Sequence, residues 1–395
     1  MKALNPPRRL LFGPGPSQVA PRVYEAMAKP IVGHLDPYFF DLNAEIRDGL
    51  KALFGTENPF TLAISATGSG GMETAMANFV EPGAKVAVFA SGFFADRQSE
   101  MAKRQGGRVV RLEKPWGETF SDDEAYDFIL REKPQVVTFV HAETSTGAHN
   151  PGHAICAAAR EVDAITIADC VTSLGTMPIG LDEMGADVAY SCSQKGLSCP
   201  PGLSPLTVSP RALDWLKSVR KSPKATWYFD LSLLADYFDG ARRYHHTAPI
   251  TAFYALHESL RSIQEEGLAS RFERHRRNHL AFVAGLEAMG LRMLVAEGHR
   301  LWSLNTPLVP EGVDDAKVRG YLTARYGIEI AGGFGPLAGK VFRIGLMGVL
   351  STEPDVLFLL EAFEEALREQ GFVPRSNGAE AARAAYVALG AVAAN

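Results

Sequence analysis

From about residue 60 to residue 210 short β-rich runs alternate with helix-length stretches, and no other feature of the chain constrains its fold as strongly. The runs are Thr61–Ser65, Lys85–Ala90, Arg108–Leu112, Gln135–His141, Ala164–Asp169, Asp187–Cys192 and Leu206–Ser209. Between them lie the partly amphipathic segments Gly71–Phe79, Phe93–Arg104, Asp122–Arg131 and His153–Arg160. Such alternation builds βαβ units, so the expected fold class is α/β, with a mainly parallel seven-stranded sheet flanked by helices. In sheets of this kind ligands sit beyond the carboxyl ends of the strands, so chemistry is sought in the residues just after each run.

Past Arg243 the pattern changes. A long helical region covers roughly Ile250–Met289, and strand-like pieces return at Arg300–Thr306, Ile328–Ala331 and Lys340–Leu346 around a helical Asp314–Tyr326. A further helix is expected at Pro354–Gln370, and the Ala-rich tail Gly378–Asn395 reads as an appended helix. The expected organisation is an N-terminal arm over 1–20, a large domain over 21–250, an interdomain helix with a smaller α/β domain over 251–375, and the tail over 376–395. A chain of 395 residues that is 46% hydrophobic is long enough for a large core and a second smaller one. Its net charge of −5 gives no basic footprint for nucleic acid or a membrane surface, so the expected partner is a small molecule. No apolar segment follows Lys2, Arg8 and Arg9, and no apolar run approaches a membrane span, so a soluble, cytoplasmic protein is expected. Cys156, Cys170, Cys192 and Cys199 form no C-x-x-C pair and the histidines show no metal-ligand spacing; reduced, packed thiols and no metal are expected.

Lys195 follows a predicted strand, among small neighbours and ahead of Pro200-Pro201-Gly202. A lysine in a desolvating pocket has a lowered pKa and serves as a nucleophile and Schiff-base partner, whereas most lysines are solvated surface charges. Asp169 ends the apolar run Ala164–Ala168 at the ligand-binding edge, where a carboxylate suits a pyridinium nitrogen; on its own it reads more readily as a helix cap, and Lys195 tips the reading to the ring nitrogen. Ala66-Thr67-Gly68-Ser69-Gly70-Gly71, between a strand and a helix, suits a phosphate ester or a tight turn. Glu73 stands at the third glycine position of a dinucleotide motif and no Gly-Lys-Ser/Thr follows, which argues against dinucleotides and nucleoside triphosphates. Arg343, inside the apolar run Lys340–Leu346, needs an anion: a substrate carboxylate or a protein ion pair. Gly13-Pro14-Gly15-Pro16 is a rigid turn, read as a structural arm, and His34 reads as a loop histidine.

These positions, in this order, resemble the class V aminotransferases of pyridoxal-phosphate (PLP) fold type I, most closely the alanine–glyoxylate and serine–glyoxylate aminotransferase group. The resemblance runs from Phe12-Gly13-Pro14-Gly15-Pro16-Ser17 through His141–Gly147, Ile167–Gly175, Ser193–Gly196 and Tyr244-His245-His246-Thr247 to Phe342–Gly348. It implies that Lys195 carries the cofactor as an imine, that Asp169 pairs with its ring nitrogen, and that Gly68, Ser69 and Gln194 hold its phosphate. Tyr244 and Thr247 would join the phosphate from the neighbouring subunit of a homodimer. Phe94 would stack on the ring with Val171 on the other face, Thr144 would lie near the phenolic oxygen, and Arg343 would clamp the substrate carboxylate. The chain departs from the group in carrying Phe94 for tryptophan and Thr144 for serine; a π face and a hydroxyl are kept. The activity implied is ping-pong transfer of an amino group from a small amino acid, alanine or serine, to a small 2-oxo acid such as glyoxylate. A lyase or aldolase on the same fold and a non-catalytic binding protein are the alternatives. A desulfurase would need a nucleophilic cysteine on a mobile loop, and no cysteine follows Cys199.

Overall fold

The structure, a computed structural model, describes residues 1–238 and 241–392. Its main sheet has seven strands, labelled here β1 (Phe60–Ile64), β2 (Lys85–Ala90), β3 (Arg108–Glu113), β4 (Val136–Val140), β5 (Ile165–Asp169), β6 (Val188–Tyr190) and β7 (Ser204–Val208). They lie in the order β1-β7-β6-β5-β4-β2-β3. All pair in parallel except β7, which runs antiparallel to both β1 and β6. Strands β4 and β5 are buried at every residue, because helices cover both faces of the sheet; this is why they read as continuous apolar runs rather than alternating ones.

The helices that return the chain begin where local chemistry dictates. Ser121 and Glu124 form a capping box ahead of Asp122–Glu132, and Asp36 caps Pro37–Phe54, which ends at Gly55 in the left-handed conformation. Helices Gly68–Phe79 and Phe93–Arg104 have no side-chain cap at all on their own N-cap residues, Thr67 and Gly92. Their first N–H groups are left for other partners at the carboxyl edge of the sheet.

The helical stretch expected over Ile250–Met289 is two helices, Ile250–Glu266 and Leu268–Ala288, interrupted at Gly267 with φ +81°. Beyond it, Phe342–Gly345 is the centre of a three-stranded antiparallel sheet between Leu304–Asn305 and Ala331–Gly332. The single strand expected at Ile328–Ala331 serves two sheets: Ile328–Glu329 pairs in parallel with Leu10–Leu11, and Ala331–Gly332 pairs with Phe342–Gly345. The N-terminal arm is thereby bound to the C-terminal part of the chain, and Phe12 is fully buried in its core with Phe282, Phe342 and Phe363. A separate, larger core lies around the main sheet.

The tail helix, Gly378–Val392, is part of that second core rather than an appendage; of the predicted Gly378–Asn395, residues 393–395 lie outside the described residues. Ala379, Ala382 and Tyr386 are buried, and the Tyr386 hydroxyl donates to Asn278 Oδ1 at 2.6 Å. Small residues allow the approach: a Cβ on Gly285 would lie 2.7 Å from the Gly378 carbonyl oxygen. All four cysteines are buried and unbridged. Among the described residues no helix is long and apolar enough to cross a membrane.

Candidate active site

The carboxyl ends of β1, β2, β4, β5 and β6 open on one cavity of about 490 Å³. Asp169, the last residue of β5, enters it almost fully buried. Its Oδ1 accepts from the Val171 N–H at 2.9 Å and its Oδ2 from the Tyr190 hydroxyl at 2.9 Å. Tyr190 is its register partner on β6, and Gln98 Nε2 donates to the same hydroxyl at 3.1 Å. Burial pushes the Asp169 carboxyl up to about 6 in spite of these donors and of the nearby Lys195.

Lys195 stands on the segment between β6 and β7 and is only 7% exposed. Its Nζ donates to the Pro14 carbonyl at 2.8 Å, to Thr144 Oγ1 at 3.0 Å and to Thr172 Oγ1 at 3.3 Å, and those two hydroxyls are bonded to each other. Burial pulls the amine down to about 8. The Gly13–Pro16 turn, read from sequence as an arm, lines this cavity. Gly15, at φ +110°, explains its glycine: a Cβ there would lie 3.1 Å from Lys195 Cγ. Ser17 secures the other side, its Oγ donating to the Lys195 carbonyl at 2.6 Å and its N–H to that of Gln194 at 2.8 Å.

The uncapped start of helix Gly68–Phe79 faces the same cavity through Gly68 and Ser69. A Cβ on Gly68 would come within 2.9 Å of Cys192 Cβ, so the close approach of this turn to the lysine segment needs glycine. Arg97, not singled out from sequence, donates to Ser69 Oγ at 2.9 Å and lies over the Phe94 ring, 4.9 Å from its centroid. N–H groups at a helix start, a serine hydroxyl and a guanidinium make a corner whose chemistry suits an anion. Gln194 adds a buried Oε1 without a partner. Phe94 and Val171 line the same cavity.

Glu143 and Ser145, on the segment after β4, supply the missing caps of helix Phe93–Arg104. Glu143 Oε2 accepts from the Phe94 N–H at 3.2 Å and Ser145 Oγ from the Phe93 N–H at 3.0 Å. A Cβ on Gly92 would lie 2.4 Å from Glu143 Cδ, so only glycine leaves room for the carboxyl group. Burial pushes Glu143 up to about 7.

Arg343 reaches the cavity from Phe342–Gly345 with 4% of its surface exposed. Nε donates to the Gly332 carbonyl at 2.7 Å and Nη1 to that of Thr144 at 3.3 Å, while the guanidinium lies 3.9 Å from the centroid of the Phe334 ring. It makes no ion pair with the described residues, and burial pulls it down to about 10. The structure thus brings together Lys195, Asp169, Gly68, Ser69, Phe94, Thr144, Val171, Gln194 and Arg343. Tyr244 and Thr247 do not line the cavity of their own chain: both are exposed, and Tyr244 packs against the His34 ring at 5.2 Å. His34 is held through its carbonyl by the Tyr237 hydroxyl.

The family model described as "Aminotransferase class-V" matches residues 9–351. The (S)-ureidoglycine–glyoxylate transaminase of Bacillus subtilis (strain 168) is 38% identical, over 98% of this chain and 96% of its own. The alanine–glyoxylate aminotransferase of Callithrix jacchus is 37% identical, over 93% of this chain and 90% of its own. Among solved structures, an alanine–glyoxylate aminotransferase from Nostoc sp. is 46% identical and superposes with a TM-score of 0.91, covering 93% of this chain and 97% of its own.

Proposed function

The chain belongs to the class V aminotransferases, and from that premise we propose that it moves an amino group from alanine or serine to glyoxylate or a similarly small 2-oxo acid, by a ping-pong mechanism. It is a transaminase, and its cofactor is pyridoxal 5'-phosphate. The residues present fit that group: an anion corner, the Phe94 ring and Val171, a buried carboxylate and a buried amine all line one cavity. When bound, the cofactor supplies an electron-poor ring that takes up the electron pair left on the substrate Cα.

In this reading Asp169 holds the proton on the ring nitrogen, oriented by Tyr190 and the Val171 N–H. Gly68, Ser69 and Gln194 bind the phosphate, joined by Tyr244 and Thr247 from the second subunit of a homodimer; the exposure of Tyr244 and Trp227, each 62%, supports that contribution across an interface. Lys195 would hold the cofactor through its amine, and the same amine, when free, is the base placed to take the proton from the substrate Cα and to hold it for return. Its depression to about 8 keeps a working fraction of free base near neutrality. Thr144 and Thr172 hold the amine in place through their hydroxyls. Arg343 receives the substrate carboxylate, its guanidinium stacked on the Phe334 ring. Buried, unbridged thiols support a cytoplasmic setting.

The observation that carries the reading is the convergence of a depressed amine, a buried carboxylate and an unpaired guanidinium on one cavity. The test is a half-reaction: holoenzyme mixed with alanine or serine and no acceptor, followed by cofactor absorbance, and then given glyoxylate. Amination of the cofactor by these donors and its reversal by glyoxylate are expected, and both vanish in Lys195→Ala. Amination only by long-chain donors, or turnover retained in Lys195→Ala, overturns the assignment.

A further inference from the structure

The segments that carry Asp169, Lys195 and Arg343 all return to one half-buried ion cluster at the break between helices Ile250–Glu266 and Leu268–Ala288. Arg271, 5% exposed, donates from Nε to the carbonyl of Gly175, six residues after Asp169, at 2.7 Å. From Nη2 it donates at 2.6 Å to the carbonyl of Gly196, the residue next to Lys195. Its Nη1 meets Glu266 Oε2 at 2.8 Å. The same carboxylate accepts from Arg274 Nε at 2.6 Å and Nη2 at 3.0 Å. Arg274 Nη1 donates in turn to the carbonyls of Gly348, at 3.0 Å, and Ser351, in the turn that follows the strand of Arg343. Glu266 is therefore the anion between two guanidinium groups, one fastened to the lysine side of the cavity and the other to the arginine side.

The two sides also touch directly. Ser198 Oγ accepts from the Val349 N–H at 3.1 Å, His275 Nε2 accepts from the Gly348 N–H at 3.0 Å, and a Cβ on Gly348 would overlap Ser198 Oγ at 1.7 Å. An apolar contact of the same size would hold two layers together with less desolvation cost than three charged groups. What the charged cluster adds is direction: each guanidinium fork fixes two carbonyl oxygens, and the carboxylate fixes the forks relative to each other.

We propose that Glu266, with Arg271 and Arg274, is a positioning unit that sets the spacing between the Lys195 amine and the Arg343 guanidinium. The inference rests on the proposed roles of those two residues at opposite ends of the substrate. Neutralising Glu266 leaves two cations facing each other across the joint, and the joint loosens. A substrate held by its carboxylate then presents its Cα to Lys195 in fewer productive poses, and a misplacement of about 1 Å costs on the order of 100-fold in rate.

The test compares two amines in single-turnover half-reactions of the holoenzyme, well below its unfolding temperature: alanine, which carries a carboxylate for Arg343, and ethylamine, which does not. In Glu266→Gln the alanine rate at low substrate is expected to fall roughly 10- to 100-fold. The ethylamine rate and the affinity for pyridoxal phosphate should stay within about threefold, because neither uses the Lys195–Arg343 spacing. Equal losses with both amines, or a lowered melting temperature with alanine discrimination intact, would overturn the proposal and leave the cluster a purely structural brace. The unchanged enzyme serves as the control for the premise: if it does not itself prefer alanine to ethylamine, the role of Arg343 fails first. Arg274→Lys, which keeps the charge but loses the fork, carries the same comparison should Glu266→Gln not fold.

Discussion

Replacing Arg343 by Met separates two explanations of a buried arginine. If the guanidinium is part of a structural ion pair, its removal strands a buried carboxylate and costs about 3–5 kcal/mol of stability. The structure gives it no such partner within ion-pair distance: two backbone carbonyls and the Phe334 ring are what it touches, and the Glu143 carboxyl attracts it only from farther off. Burial lowers its pKa from 12.5 to about 10, which corresponds to roughly 3 kcal/mol against carrying the charge in the folded state. The two carbonyl hydrogen bonds, made by a charged donor and one of them long at 3.3 Å, return about 1.5 kcal/mol each, and the contact with the ring about 0.5 kcal/mol more. These terms nearly cancel, so Arg343→Met should change unfolding stability by no more than about 1 kcal/mol. Function should respond very differently. Hydrogen bonds to a charged group contribute about 1.5–3 kcal/mol each, so losing a two-point grip on the substrate carboxylate should lower kcat/KM for alanine by at least about 100-fold. Urea titration and steady-state kinetics of the same holoenzyme preparation decide the matter. A loss of about 3 kcal/mol or more with kcat/KM nearly unchanged would refute the reasoning.

Two further outcomes are expected. Glu143 is raised from 4.5 to about 7, so between those pH values the folded chain keeps a proton that the unfolded chain has released, and its contribution to stability declines as pH rises through that window. Glu143→Gln should abolish a decline of roughly 3 kcal/mol between pH 4.5 and 7.5 in urea titrations of the cofactor-free protein; an identical pH profile in variant and parent would contradict this. Tyr190→Phe removes one of the two donors to Asp169 and so disfavours its charged form. The acidic limb of the kcat profile should move to higher pH, and a limb that stays in place would show that Tyr190 does not tune the carboxylate.

Most of the main sheet can be read in the sequence because parallel strands covered on both faces leave unbroken apolar runs. β2 has the predicted bounds and the helix over Phe93–Arg104 is as expected. The strand order, and the reversal of β7, depend on long-range pairing that no local pattern encodes. The break at Gly267 was hidden inside a strongly helical stretch, where an isolated glycine reads as merely tolerated. In the small sheet, Arg300–Thr306 contributes only Leu304–Asn305, since the residues before it serve the connection to the 147–149 segment instead. At the site, Lys195 and Asp169 stand out because charges directly after apolar runs are unusual. Tyr190 looks like a core aromatic, Arg97 like the solvated face of an amphipathic helix, and Thr172 like a small loop residue. Their roles appear only when β5, β6 and helix Phe93–Arg104 are brought side by side.

The reversed strand β7 has a consequence for how this architecture tolerates change. The stretch bearing Lys195 leaves β6 and re-enters the neighbouring strand at the same end, and the main-chain pairing runs on into it through Ser191 to Pro205 at 2.8 Å and Ser193 to Leu203 at 3.0 Å. It is a short span rooted in adjacent rods of the sheet, with no helix in between to transmit a displacement. Drift in the outer layers can therefore reshape the walls that select a donor while the amine keeps its address, so new specificities are reachable without rebuilding the centre that performs the transfer.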